Sequence, residues 1–300
     1  GWGSLAVHGG HKQDPMYAHQ VPIYASSTYV FDDAEQGMRR FSGKEEGYIY
    51  SRWGNPTMTE AEEKIAALET FELGFEVKGI LHASGMAAIS TLMLANLKPG
   101  DKVITHVSLY GGTEELVSKI LPSFGITAII ADLRDLQKAA DIIKADKAIK
   151  MMYLETPANP TIQCVDLEEL TKLAKQHNII VACDNTFATP YLQQPFKYEI
   201  DFVVHSTTKF LNGHGTAIGG AMIDDDENER VLFDTNLDGT FGDTVRTAAM
   251  VDAFGPTTAN PGGFCGGKAL GNNFTAACIE DDGFGVDFAA RAGWDFQSGP

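Results

Sequence analysis

The chain is short of positive charge, of cysteine and of long apolar runs, and each shortage closes off a class of function. Its 300 residues carry 23 Lys and Arg against 40 Asp and Glu, a formal net charge of -17. Nucleic acids and anionic membranes recruit clusters of Lys and Arg, so a balance this acidic, with no basic run, argues against both. The 4 cysteines, Cys164, Cys183, Cys265 and Cys278, are far apart and form no C-x-x-C pair. That usage fits a reducing compartment and neither a disulfide framework nor a zinc site. No apolar run approaches the roughly 18 residues of a membrane span. The opening GWGSLAVHGGHKQDP lacks the charged start and apolar core of a signal peptide. The expectation is a cytoplasmic protein that acts on a small molecule. His8 and His11 lie three apart in HGGH, but with no Cys or carboxylate motif beside them they read as loop, and no metal is expected.

What is present is enough for a large core, since domains of this length hide roughly 75% of the unfolded chain's surface. Residues 1 to about 75 read as an arm: VPIYASSTYVFD, then YIYSRWGNPT, then a helix from Thr57 through Leu68 punctuated at its start by Asn55-Pro56. From Val77 short apolar runs alternate with amphipathic helices. GILHAS precedes a helix over Met86 to Leu97, KVITHV one over Glu114 to Leu121, and TAIIAD one over Leu136 to Ala145. The runs IKMMYLE, IIVACDN, DFVVHS and AIGGAMI follow, with a helix over Leu167 to His177 between the first two. Strands that are apolar throughout, alternating with helices, imply an α/β fold with a mostly parallel sheet covered on both faces. Ligands in such sheets collect at the carboxyl ends of the strands.

Beyond Ile223 the composition changes. Residues 224 to 300 hold 14 acidic and 4 basic side chains, 12 of the 31 glycines and only 3 leucines, and they show no sustained period. They read as a separate, atypical tail after a ligand-binding α/β domain over 76 to 223.

Three strand ends carry chemistry. ASGMAA (Ala83 to Ala88) joins a strand to a helix, either an ordinary Ser-Gly cap or a helix N-terminus whose N–H groups face an anion. Asp184 ends the apolar run IIVACDN, and a carboxylate at the mouth of a buried strand must be paired, hydrated or functional. In HSTTKFLNGHGT a strand stops in Ser206, Thr207 and Thr208, then Lys209, then a glycine-rich turn. A lysine among phosphate donors and across from a carboxylate is a candidate for covalent attachment of an aldehyde; the bland alternative is a solvated surface charge. Lysine, carboxylate, hydroxyls and helix N-terminus together define a pyridoxal phosphate site. Tyr110 in SLYGGT, at a fourth strand end, supplies an aromatic ring for the cofactor, or is an ordinary loop tyrosine.

YSRWGNPT, HASGMAA, SLYGGT, YLETPANPT, ACDNTFATPYLQQP and HSTTKFLNGHGT, in this order, resemble the signature segments of the Cys/Met-metabolism family of pyridoxal phosphate enzymes. That family includes methionine γ-lyase, cystathionine γ-lyase, cystathionine γ-synthase and O-acetylhomoserine sulfhydrylase. The resemblance covers residues 1 to about 223 and implies an aspartate-aminotransferase-like sheet of seven strands, fold type I. It implies that Lys209 holds pyridoxal 5'-phosphate and shuttles protons, that Asp184 pairs with the pyridine nitrogen, and that Tyr110 stacks on the ring. Gly85 and Met86 would offer backbone N–H groups to the phosphate, Ser206 and Thr208 hydroxyls, and Asn159 would lie near the phenolic oxygen. Tyr50 and Arg52 match residues that reach the phosphate of a neighbouring subunit, implying a homodimer or homotetramer with shared active sites. The implied reaction is γ-elimination or γ-replacement on sulfur amino acids or O-acylhomoserine, with Lys209 as base and Tyr110 as acid or base at the leaving group.

SGMAA and ETPANPT look more like γ-lyases, GHGTAIGG more like the O-acetylhomoserine enzymes. Methionine γ-lyases usually carry a cysteine two residues after the stacking tyrosine, where this chain has Gly112. The family's arginine for the substrate α-carboxylate, in an R-[LF]-S-x-G-x-E setting, has no counterpart around Arg230, Arg246 or Arg291, so a cofactor-binding but silent chain is the alternative expectation. GGFCGGKA (Gly262 to Ala269) nearly matches a nucleotide loop but has Ala269 in place of the hydroxyl residue. DTNLDG (Asp234 to Gly239) has the spacing of half a calcium loop but Val245 at the twelfth position, and an acidic turn explains it equally well.

Overall fold

Residues buried on both faces of a sheet gain nothing from polar alternation, and the seven apolar runs of this sequence become seven strands of one sheet. The computed structural model describes residues 1–225. These fall in two units, Gly1–Thr28 together with the described residues from Tyr50 onward, and Tyr29–Ile49. The strands are β1 (Val77–His82), β2 (Lys102–His106), β3 (Thr127–Ala131), β4 (Ile149–Glu155), β5 (Ile180–Asp184), β6 (Phe202–His205) and β7 (Gly220–Asp225). Their order is β1-β7-β6-β5-β4-β2-β3. The pairs from β3 to β6 are parallel, and β7 runs antiparallel to both β6 and β1, so the mostly parallel seven-stranded sheet is borne out. In β4, Met151, Met152, Tyr153 and Leu154 are all fully buried, which is why that strand carries no alternation.

The helices are α1 (Trp2–His8), α2 (Ala34–Phe41), α3 (Pro56–Glu69), α4 (Gly85–Asn96), α5 (Gly111–Glu115), α6 (Leu136–Ala145), α7 (Leu167–Lys175) and α8 (Thr189–Leu192). Five start on a side-chain cap: Asp33 accepts from Gln36 N, Asn55 from Thr57 N, Ser84 from Ala87 N, Asp135 from Lys138 N and Asp166 from Glu169 N. Each satisfies a backbone donor that the first turn leaves without a partner. The single helix expected over Glu114 to Leu121 is instead α5 followed by a π-turn over Leu116–Ile120 and a 3-10 turn over Leu121–Phe124. Pro122 has no N–H to continue an α-ladder there.

Within the smaller unit, α2 opens on a reciprocal cap: Asp33 Oδ1 accepts from Gln36 N at 2.7 Å while Gln36 Oε1 accepts from Asp32 N at 2.7 Å. Trp2 of α1 meets the Phe71 ring edge-on at 5.2 Å. Among the described residues no helix is long and apolar enough to cross a membrane, and no group of His, Cys, Asp and Glu could hold a metal ion. His11 instead lies 3.5 Å from Glu60. Apart from Asp224 and Asp225, which end β7, the acidic tail with GGFCGGKA, DTNLDG, Arg230, Arg246, Arg291, Cys265 and Cys278 lies outside the described residues.

Leu92 on α4 is fully buried. Leu92→Ala should cost about 3 kcal/mol, the usual sum of lost transfer energy and a partly collapsed cavity. Urea unfolding should show it as a lower midpoint at unchanged slope.

Candidate active site

Parallel pairing brings the carboxyl ends of β4, β5 and β6 side by side, and the register sets Glu155 directly beside Asp184. Both carboxylates are nearly buried, at 5% and 8% exposure, so each needs hydrogen bonds to be tolerated. Asp184 Oδ2 accepts from the Tyr153 hydroxyl at 3.2 Å, and Oδ1 from Thr186 N at 3.0 Å. Burial and the adjoining Asp184 charge push the Tyr153 phenol well above its ordinary range, so it stays protonated and keeps donating. Glu155 Oε1 accepts from Asn159 N at 2.7 Å and Oε2 from Tyr110 N at 2.8 Å. Burial raises the Glu155 carboxyl to about 7; the Asn159 N–H pulls it down, Asp184 pushes it up, and the Tyr110 N–H pulls it down again.

The chain after β5 is joined to the chain after β6, because Ser206 N donates to Thr186 Oγ1 at 2.7 Å. Ser206 in turn lies against the start of α4: a Cβ built on Gly85 would come 2.6 Å from Ser206 Cβ, so only glycine allows this approach. Ser84 caps Ala87 N, and the N–H groups of Gly85 and Met86, first in the helix, have no intrahelical acceptor. Met86 reaches the fourth strand end. A Cβ on Gly112 would stand 3.0 Å from Met86 Sδ and 2.9 Å from Tyr110 Cε1, so the half-exposed Tyr110 ring rests over Gly112 beside Met86.

These contacts close into a circuit: Gly85 to Ser206, Ser206 through Thr186 to Asp184, Asp184 beside Glu155, Glu155 to Tyr110, and Tyr110 past Gly112 to Met86. Lys209 is exposed, its N–H donating to Ser206 O at 3.1 Å. Thr208 Oγ1 donates to Gly219 O at 3.1 Å and accepts from Gly219 N at 3.0 Å. Tyr50 forms a bridge with Thr28, and the exposed Arg52 holds its guanidinium 5.3 Å from the Tyr50 ring.

Sequence reasoning passed over Glu155, Tyr153, Thr186 and Glu69. Glu155 ends the apolar run IKMMYLE as Asp184 ends its own, so the rule that singles out Asp184 reaches Glu155 too. Glu69, fully buried at the end of α3, accepts from Asn185 Nδ2 at 2.9 Å and lies 2.5 Å from His205 Nε2. Nothing local in the sequence marks that contact.

An anion-ready helix N-terminus, two strand-end carboxylates and a lysine after the last parallel strand, at the carboxyl edge of one sheet, define the class: an aspartate-aminotransferase-like α/β protein of fold type I. The comparisons name the family within it. Residues 3–251 match the model described as Cys/Met metabolism PLP-dependent enzyme. An L-methionine gamma-lyase of Fusobacterium nucleatum is 47% identical over 224 residues, 74% of this chain and 55% of that protein. An O-acetyl-L-homoserine sulfhydrylase of Leptospira meyeri is 38% identical over 225 residues, 74% of this chain and 49% of that one. A Campylobacter jejuni structure assigned as an O-acetylhomoserine (thiol)-lyase, carrying N'-pyridoxyl-lysine-5'-monophosphate, superposes with a TM-score of 0.70 at 39% identity, covering 76% of this chain and 54% of that one. The chain belongs to the Cys/Met metabolism family of PLP-dependent enzymes. It spans about half the length of the curated relatives it matches.

Tyr153→Phe removes one hydrogen bond to a buried carboxylate and should cost about 2 kcal/mol, measured by denaturant unfolding with secondary structure unchanged.

Proposed function

We propose that this chain binds pyridoxal 5'-phosphate in the strand-end circuit and takes part in γ-elimination or γ-replacement on sulfur amino acids or O-acylhomoserine. The observation that carries this reading is the closed circuit itself, which links the start of α4, where the Gly85 and Met86 N–H groups lack intrahelical acceptors, to the buried Asp184 carboxylate, with the exposed Lys209 bonded through its backbone to Ser206. The residues fit the cofactor. Ser206 fills the place that any Cβ at residue 85 would need, leaving the Gly85 and Met86 N–H groups and the Ser206 hydroxyl for a phosphate. Thr208 joins them by exchanging its bond to Gly219 for one to the anion. Asp184, held by Tyr153 and Thr186, keeps a pyridine nitrogen protonated, and Asn159 borders the phenolic oxygen. When bound, the cofactor supplies the electron sink for charge left next to the substrate amine.

Lys209 anchors the cofactor and, once released, moves protons at the substrate's Cα and Cβ. Tyr110, its half-exposed ring beside Met86, serves the leaving group at Cγ. Tyr50 and Arg52 complete the phosphate site of a second copy, making the protein a homodimer or homotetramer that takes an amino-acid substrate. The spacing of the cysteines supports a reducing compartment such as the cytoplasm. Elimination in the manner of methionine γ-lyase is the favoured branch, because identity to such an enzyme is 47% against 38% for the sulfhydrylase; replacement by O-acetylhomoserine sulfhydrylase or cystathionine γ-synthase chemistry is the alternative.

Cofactor-loaded protein incubated with methionine should release 2-oxobutyrate, and sulfide-dependent homocysteine from O-acetylhomoserine would move the assignment to replacement. Borohydride should fix the cofactor to Lys209, detectable by mass, and Lys209→Ala should abolish both adduct and product. Adduct without either product would overturn the catalytic half of the reading, and no adduct would overturn it entirely.

A further inference from the structure

Glu155 makes two hydrogen bonds of one kind to two different loops, and neither goes to a side chain. Oε2 accepts the N–H of Tyr110, 45 residues earlier in the chain, and Oε1 accepts the N–H of Asn159, just past the end of β4. The two loops bring the residues that would stack on the cofactor and border its phenolic oxygen. A carboxylate could satisfy itself at far lower cost at the surface, yet this one is 5% exposed and stands in register with a second buried carboxylate, Asp184. We propose that Glu155 is a positioning residue, a two-sided backbone clamp that fixes Tyr110 and Asn159 relative to one another across the active site. This inference rests on the function proposed above.

The clamp depends on ionisation. With charge on both oxygens, each N–H finds a strong acceptor; a proton on one oxygen weakens that side. Among the described residues, the titratable groups coupled to Glu155 are Asp184 on β5, the Tyr153 phenol on its own strand and the Cys183 thiol, none of which offers positive charge. Burial places the change at about pH 7. The sign follows. Because the folded protein holds this proton more tightly than the unfolded chain, the stability it contributes is complete below about pH 4.5 and is lost as pH rises through about 7. The clamp runs the other way, tightening as pH rises through the same range, so positioning is gained where stability is given up.

Amide hydrogen exchange, read peptide by peptide on the whole chain, tests the clamp without any need for catalysis. In the wild type, protection of the Tyr110 and Asn159 amides should increase between pH 6 and 8, after correction for the intrinsic rate, while the amides of α7 hold constant. Glu155→Gln should remove that pH dependence and speed exchange at both amides about tenfold, the factor expected for losing a charge-assisted hydrogen bond. In cofactor-loaded protein the same variant should bind cofactor within about threefold of wild type yet lose about tenfold or more in kcat, with the acid limb near pH 7 gone from its rate profile, as for an oriented group set loose. Glu155→Asp, which keeps the charge, should recover part of the rate. Unchanged exchange at the two amides would overturn the clamp, and faster exchange with an unaltered rate profile would overturn its positioning role. If Glu155→Gln fails to fold, the wild-type exchange profile alone decides, a flat one sinking the idea. Failure of borohydride to mark Lys209 would sink the cofactor reading separately, leaving the exchange result to judge the clamp.

Discussion

The site hangs on a buried carboxylate that belongs to none of the strands forming it. Glu69, at the end of α3, reaches Asn185 and His205, the residues immediately after Asp184 and immediately before Ser206. Asn185 also donates to Gln193 O, and Gln193 Nε2 donates to Asn185 Oδ1 and to Thr156 O, next to Glu155. One helix end therefore ties the chain at the carboxyl ends of three adjacent strands. A polar cluster of this kind, with both Glu69 and His205 side chains fully buried, is an expensive way to gain stability, since apolar packing does as well. What it provides that apolar packing cannot is direction: hydrogen bonds fix where β5 and β6 stop, and hence where Asp184 and Ser206 point.

The same economy governs the two strand-end carboxylates. They share a register position, and the Asp184 charge raises the cost of charge on Glu155. The structure differentiates them by their donors. Asp184 has a phenol that burial keeps protonated, and Glu155 has two peptide N–H groups from loops that must be ordered anyway. The first arrangement leaves a carboxylate suited to hold a neighbouring nitrogen in its charged form; the second spends a carboxylate on loop geometry. Burial lifts the Glu155 carboxyl to about 7, the Asn159 N–H opposing, the Asp184 charge adding and the Tyr110 N–H opposing in turn.

How much of this the sequence discloses depends on the range of the interaction. The strands were legible because burial on both faces writes itself into every residue, as in IKMMYLE, and α6 was legible to the residue because LQKAADIIKA has one clean apolar face after Asp135. The end of α5 was not, since periodicity continues through Leu116 and Val117 while the hydrogen bonding shifts to a π-turn. The helix α2 was overlooked although D-x-x-Q at Asp33 and Gln36 is a readable capping signature. Strand-end residues such as Asp184 and Lys209 stand out by their contrast with the apolar run before them. Glu69 does not, because its partners lie 116 and 136 residues away and its own helix explains its presence equally well as a solvated charge.

Gly112 shows how a residue without a side chain can still set the chemistry available. Tyr110 is tethered at both ends: its N–H is held by Glu155, and its ring settles over Gly112 against Met86, the second residue of α4. Any Cβ at residue 112 would come to 2.9 Å of the ring, too close for a carbon contact, so a side chain there would require the Tyr110 ring or its surroundings to shift. Because Met86 also lies in the first turn of α4, the ring's position and the start of that helix are not independent. The reach of the phenol is therefore fixed by the same few contacts that fix the helix N-terminus, and a change at residue 112 is felt first as geometry and only then as specificity.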